Sequence, residues 1–191
     1  AVDFLVAEMS MLGFKAGADG AGNAVGSLGD GPREIILLGH IDTVPGEITV
    51  QREEDILRGR GTVDAKGPLS CFTCAAARVG ATPGWRITVI GAVGEEGDSR
   101  GAKFLRADHP DSPEMVVIGE PSGSKRVTLG YKGSAWFDYK VCRPLAHTAG
   151  HAESACEAAV KYWAHVHEWT EEYNQGRERI FEQISLTLRG M

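Results

Sequence analysis

The chain has 191 residues, with 26 acidic against 20 basic side chains and a formal net charge of −6. That length holds one large domain, or one domain and part of a second. The acidic balance, with no basic stripe, argues against nucleic acid as a partner. No apolar window reaches the length of a membrane span, and the four scattered cysteines do not make a disulfide framework. The expectation is a cytoplasmic protein without a signal peptide.

Val2, Leu5, Val6, Met9 and Leu12 form a helical stripe that Gly13 stops. Residues 14–29 are rich in Gly and Ala, with a short strand expected at Asn23-Ala-Val-Gly. Next comes Glu34-Ile-Ile-Leu-Leu-Gly-His40-Ile-Asp42. Its unalternating apolar run reads as a strand covered on both faces, in a parallel or mixed sheet. Functional groups gather at the carboxyl ends of such strands, and here that end carries His40 and Asp42. Residues two apart in an extended segment project to the same side, and a metal-binding His commonly passes its other ring N–H to a carboxylate. The same spacing also fits a surface His beside a turn Asp.

After Pro45-Gly46, residues 47–57 read as a small hairpin with strands at 48–50 and 56–57. A glycine-rich loop then brings Asp64 to the mouth of a helix that has Pro68 in its first turn and runs to about Val79. Cys71 and Cys74 fall inside that helix. With no second ligand pair in view, they read as small buried thiols that let the helix pack closely. Trp85 to Val93 is a further strand, ending in Glu95-Glu96, with a helix expected from Ser99 to about Ala107. Met115 to Gly119 is another strand, ending in Glu120. Adjacent glutamates also fit a solvated turn, but the repeated pattern of apolar strands ending in ionisable groups points to one polar pocket.

The texture changes near residue 125. Segments 127–131, 133–141 and 180–188 alternate apolar and polar as in a half-wet sheet. A helix is expected over 153–173, with His165 and His167 at its surface. The expected fold class is α/β: a mixed, mainly parallel sheet flanked by helices over residues 1–125, and part of a smaller α+β domain over 126–191.

His40, Asp42, Asp64, Glu95, Glu96 and Glu120 supply one imidazole and several carboxylates without a thiolate. That donor set suits zinc or another first-row divalent ion in a catalytic rather than a structural site. So many carboxylates repel one another unless cations sit among them. A bridging carboxylate can hold two ions, and a Glu that is not a ligand can serve as general base.

Four motifs carry a resemblance. They are Leu-Gly-His40-Ile-Asp42-Thr-Val-Pro, Gly59-Arg-Gly-Thr-Val-Asp64-Ala-Lys-Gly67, Gly94-Glu95-Glu96-Gly97 and Gly119-Glu120-Pro-Ser. In order and spacing they resemble the zinc aminoacylase/carboxypeptidase family of co-catalytic metallopeptidases, the acetylornithine deacetylase and succinyl-diaminopimelate desuccinylase type. Gly-Asn23-Ala-Val-Gly, Gly-Glu120-Pro-Ser-Gly and Val127-Thr-Leu-Gly-Tyr-Lys-Gly133 are most similar to the acetyl-lysine deacetylase branch, which includes hydrolases of lysine held on a carrier protein.

The resemblance implies a metal-dependent amide hydrolase with two zinc ions per full-length subunit, cobalt or manganese being possible substitutes. It implies His40 and Glu120 on the first ion, Asp64 bridging, Glu96 on the second, Asp42 orienting His40, and Glu95 as general acid/base. Ala146-His147 matches a motif of the family's lid domain that holds the oxyanion, often from the partner subunit, although Thr148 replaces the usual Ser. A homodimer through the lid is implied too. The substrate would be a small acyl-amino acid or a carrier-linked amino acid. A dipeptidase or carboxypeptidase, or a non-catalytic module on the same scaffold, remain the alternatives.

The family's second metal takes a further His near the end of the full chain, and no residue here corresponds to it. The chain is therefore expected to be either a fragment or a truncated form with one metal site incomplete, lacking the rest of the catalytic domain and inactive alone.

Overall fold

The computed structural model describes residues 1–108, 112–145, 147 and 150–190. The chain divides into two units, Ala1–Arg126 and Val127–Met191.

In the first unit, helix α1 (Val2–Met11) opens the chain. Its Val2, Leu5 and Val6 pack against a core that includes the fully buried Met9, and Gly13, at φ +90°, turns the chain out of the helix. Strands β1 (Lys15–Ala18) and β2 (Ala24–Leu28) pair antiparallel. Strand β3 (Arg33–His40) is followed by the hairpin β4 (Gln51–Glu53) and β5 (Ile56–Arg58). Helix α2 (Lys66–Val79), strand β6 (Trp85–Ala92), helix α3 (Arg100–Asp108) and strand β7 (Met115–Ile118) complete the unit.

The described residues form a five-stranded sheet in the order β1-β2-β6-β3-β7, with β3 parallel to both β6 and β7. It is a mixed sheet with a parallel core and flanking helices. The chain leaves β3 through α2 to reach β6, then returns through α3 past β3 to β7. Crossovers of the same hand running in opposite directions place their helices on opposite faces. Leu5 of α1 and Leu69 of α2 both close on Gly91, where a Cβ would come within 2.8 Å and 3.2 Å of them. That close approach explains a glycine next to the carboxyl end of β6.

Three sequence expectations need correction. The first hairpin strand lies at Gln51–Glu53, three residues later than expected. Its two-residue turn, with Glu54 at φ +50°, fixes the register instead of the apolar Ile48 and Val50. Cys71 and Cys74 are exposed. The inner face of α2 is Leu69, Thr73 and Ala76, whose spacing of three and four leaves both thiols off it. In the second unit, the described residues contain helix α4 (Ala155–Asn174) and a short 3-10 turn (Ile180–Glu182), and no strand. Alternation at 127–141 and 180–188 is compatible with a strand, but a strand also needs a ladder partner.

Helix α4 starts at a capping box. The Glu157 N–H donates to Ser154 Oγ at 3.2 Å, and the Ser154 N–H donates to Glu157 Oε2 at 2.7 Å. His165 and His167 on α4 are exposed.

At the amino ends of the parallel strands, Glu34 is buried next to its register partner Arg86. Arg86 donates Nε to Oε1 at 3.0 Å and Nη2 to Oε2 at 3.1 Å, and buried Thr88 donates its hydroxyl to the same carboxylate. Hydrogen bonds to a buried charge are stronger than neutral ones. Thr88→Val keeps the shape and the strand preference while removing one donor. It should cost about 2 kcal/mol of unfolding free energy, read as a lower urea midpoint at unchanged slope.

Candidate metal centre

β3, β6 and β7 run the same way, so the loops that follow them meet at one end. The register pairs His40 with Ala92 and Leu38 with Ile118. The Ile41 N–H donates to the Ala92 carbonyl at 2.9 Å, and the Gly119 N–H to the Leu38 carbonyl at 2.8 Å. Two residues past Ile118, Glu120 comes level with His40. Glu95 follows Ala92 by three residues, and Asp64 arrives from the loop between β5 and α2.

The His40 side chain is 2% exposed. Its Nε2 faces Asp64 Oδ1 at 3.0 Å, with Glu95 Oε2 and Glu120 Oε1 each at 3.9 Å. Its Nδ1 faces the Asp42 backbone carbonyl at 3.1 Å and the Asp42 carboxylate at 3.7 Å. The Asp42 carboxylate also accepts the backbone N–H groups of Glu95, at 3.2 Å, and Glu96, at 3.1 Å. One aspartate thus links the end of β3 to the turn after β6. Backbone amides leave no mark in a sequence, so this link was not readable there.

Two overlapping groups bring one donor atom each to within 4.8 Å of one another: His40, Asp64 and Glu120, and His40, Glu95 and Glu96. Nitrogen and oxygen donors with no sulfur fit a divalent ion of the zinc type. His147 is an exposed residue of the second unit. Its neighbours Ala146, Thr148 and Ala149 lie outside the described residues.

The electrostatics fit the same use. Burial works against a charged His40, but the Asp64 hydrogen bond, the Glu120 and Glu95 charges and the Asp42 carbonyl outweigh it, so its pKa lies above 6.5. Burial pushes Asp42 up, yet the N–H groups of Glu96 and Glu95 and the nearby His40 hold it below 3.8. Burial, then the Glu95, Asp64 and Glu96 charges, raise Glu120 above 4.5 against the pull of His40.

In metal-free protein the His40 pairing therefore stabilises fully below pH 6.5 and fades as pH rises through the raised value. The Asp42 contribution is present above pH 3.8 and is lost as pH falls through its lowered value. Because ligands must be deprotonated, metal binding by the full-length protein should expel protons below the raised His40 pKa and progressively fewer above it. Calorimetric titration in buffers of different ionisation enthalpy reads this directly.

A LysW-lysine hydrolase of Deinococcus radiodurans is 42% identical over 98% of this chain and 53% of its own length. A Thermococcus kodakarensis protein, provisionally named LysW-lysine/LysW-ornithine hydrolase, is 49% identical over 70% of this chain and 37% of its own. The chain thus spans about half or less of the length of these relatives. Among solved structures, human carnosine dipeptidase 1 overlaps 62% of this chain and 32% of its own at 18% identity, with a TM-score of 0.49, a likeness too loose to bear on function. A model of peptidase family M20/M25/M40, whose members are metal-dependent, matches residues 36–187. The strand-end donor cluster and that match along most of the sequence lead to one conclusion: the chain belongs to peptidase family M20/M25/M40.

Proposed function

We propose that the protein containing this chain is a metal-dependent amide hydrolase that releases an amino acid from an acyl linkage, with carrier-linked lysine or ornithine as substrate. The observation that carries this reading is the convergence of His40, Asp64, Glu95, Glu96 and Glu120 at one sheet end. The names of the relatives above support the carrier-linked substrate.

In this proposal His40, Asp64, Glu96 and Glu120 would hold the divalent metal, with zinc the expected ion. Bound there, divalent ions acidify water and polarise an amide carbonyl. Glu95 takes a proton from the attacking water and delivers it to the departing amine, so water and amide give a carboxylic acid and a free amine. Asp42 keeps His40 in one tautomer through Nδ1 and holds the backbone of Glu95 and Glu96. Burial of His40 keeps its ring from turning toward solvent.

Residues 1–125 would then be the metal-binding part of a catalytic domain, and 126–191 part of a lid. Exposed Tyr162 and Trp169 on α4 support a homodimer through that lid, from which His147 of one subunit would steady the developing oxyanion of the other. No helix among the described residues is long and apolar enough to cross a membrane, and a cytoplasmic enzyme accords with that.

The test is amine release by the full-length, zinc-loaded protein from LysW-linked lysine and ornithine, acetyl-lysine, acetyl-ornithine and dipeptides. The carrier-linked amino acids should turn over fastest. Glu95→Gln should lower kcat by about 100-fold to 10,000-fold while bound zinc is unchanged. Turnover of dipeptides alone would contradict the substrate class.

A further inference from the structure

We infer that Asn23, fully buried and far in sequence from Glu95 and Glu96, is a positioning residue that closes the neck of the loop bearing them. Both of its amide N–H donors and its carbonyl oxygen are hydrogen-bonded. Oδ1 accepts the Val93 N–H at 2.9 Å. Nδ2 donates to the Gly101 carbonyl at 3.2 Å and to Asp19 Oδ2 at 2.7 Å. Because an N–H needs an acceptor and the carbonyl and carboxylate need donors, the amide can sit only this way round.

Val93 and Gly101 are the residues just before and just after the loop. They also bond to each other, from the Gly101 N–H to the Val93 carbonyl at 3.0 Å. Between them the chain turns tightly, with Gly94 at φ +74° and Ser99 at φ +54°, and the Ser99 N–H donates to the Gly94 carbonyl at 2.6 Å. The neck has no spare room: a Cβ on Gly101 would stand 2.2 Å from Asn23 Oδ1.

Glu95 and Glu96 are exposed. Packing therefore does not place them, and their backbone must. That backbone is held at the tip by the Asp42 carboxylate and at the neck by Asn23. Asp19 in turn fixes Asn23, accepting its backbone N–H at 2.9 Å. Burying a side-chain amide costs free energy unless its bonds are made, so a residue chosen only to fill this space would be apolar. Asn23 does not touch the metal donors and acts through the loop.

The kinetic consequence rests on the hydrolase reading, whereas the structural one does not. The experiment compares Asn23→Ala with Met9→Ala in the full-length protein. Met9 is an equally buried apolar residue packed against Gly26, outside the loop. Asn23→Ala should keep KM within about threefold and lose about 100-fold in kcat, the cost of a misplaced reacting group. Amide exchange should rise across residues 93–101 and not elsewhere in the sheet. Met9→Ala should lose thermal stability yet hold kcat within about threefold and leave loop exchange unchanged.

Parallel losses of kcat in the two variants, or a kcat in Asn23→Ala within about threefold of the parent, would overturn the inference. If Asn23→Ala does not fold, exchange in the unmutated protein decides. Protection of the Val93 amide at the level of β6 supports the clamp, and exchange at an open-loop rate overturns it. If the unmutated enzyme turns over neither carrier-linked amino acids nor acyl-amino acids, the hydrolase reading fails instead, and the exchange data alone judge Asn23.

Discussion

Carboxylates gathered around one buried imidazole are the constraint from which the rest of this structure follows. Asp64 lies 3.0 Å from His40 Nε2, with Glu95 and Glu120 each at 3.9 Å. Without a cation, burial and then the charges of Glu95, Asp64 and Glu96 make Glu120 harder to ionise. A protonated His40 offsets only part of it. A divalent ion offsets far more, and the donor atoms already lie within reach of a common centre. The clustering would be costly as a purely structural device, which is why it points to metal chemistry.

The sheet supplies the means. Two parallel pairings of β3 carry the residues after three strands to one edge, and a one-residue slip would turn His40 to the opposite face. The apolar side chains of Leu69 and Val89, in one buried cluster, hold that register. The buried Glu34–Arg86–Thr88 cluster fixes it again at the far ends of the same strands. Position then passes from strand to loop through hydrogen bonds: Asp42 to the amides of Glu95 and Glu96, and Asn23 to both ends of their turn. Exposed glutamates are placed by a backbone that buried polar groups secure.

Much of the first unit was legible in the sequence because β3, β6 and β7 are continuous apolar runs bounded by glycine and ionisable residues. The strand-end positions of His40, Glu95 and Glu120 came with them. β1 was not legible: Lys15-Ala-Gly-Ala18 has no alternation, and its strand character comes from pairing with β2. The opposite failure occurs at 127–141, where alternation suggests strands and the described residues form none. The thiols of Cys71 and Cys74 were misplaced because which face of α2 is inward depends on the sheet beneath it. Residue types suggested the candidate donor cluster, but its wiring runs through backbone N–H and C=O groups that every residue shares. In sequence Asn23 stood out as part of a strand entry and of a motif of the resemblance, but not as a clamp, because its partners, Val93 and Gly101, lie about 70 residues away.

The most direct measurement is anomalous diffraction from crystals of the full-length protein grown with zinc. The account predicts a peak about 2.0–2.2 Å from His40 Nε2 and from carboxylate oxygens of Asp64 and Glu120, replacing the direct His40–Asp64 hydrogen bond. Zinc-grown crystals with no peak there, and with His40 still hydrogen-bonded to Asp64, would contradict it.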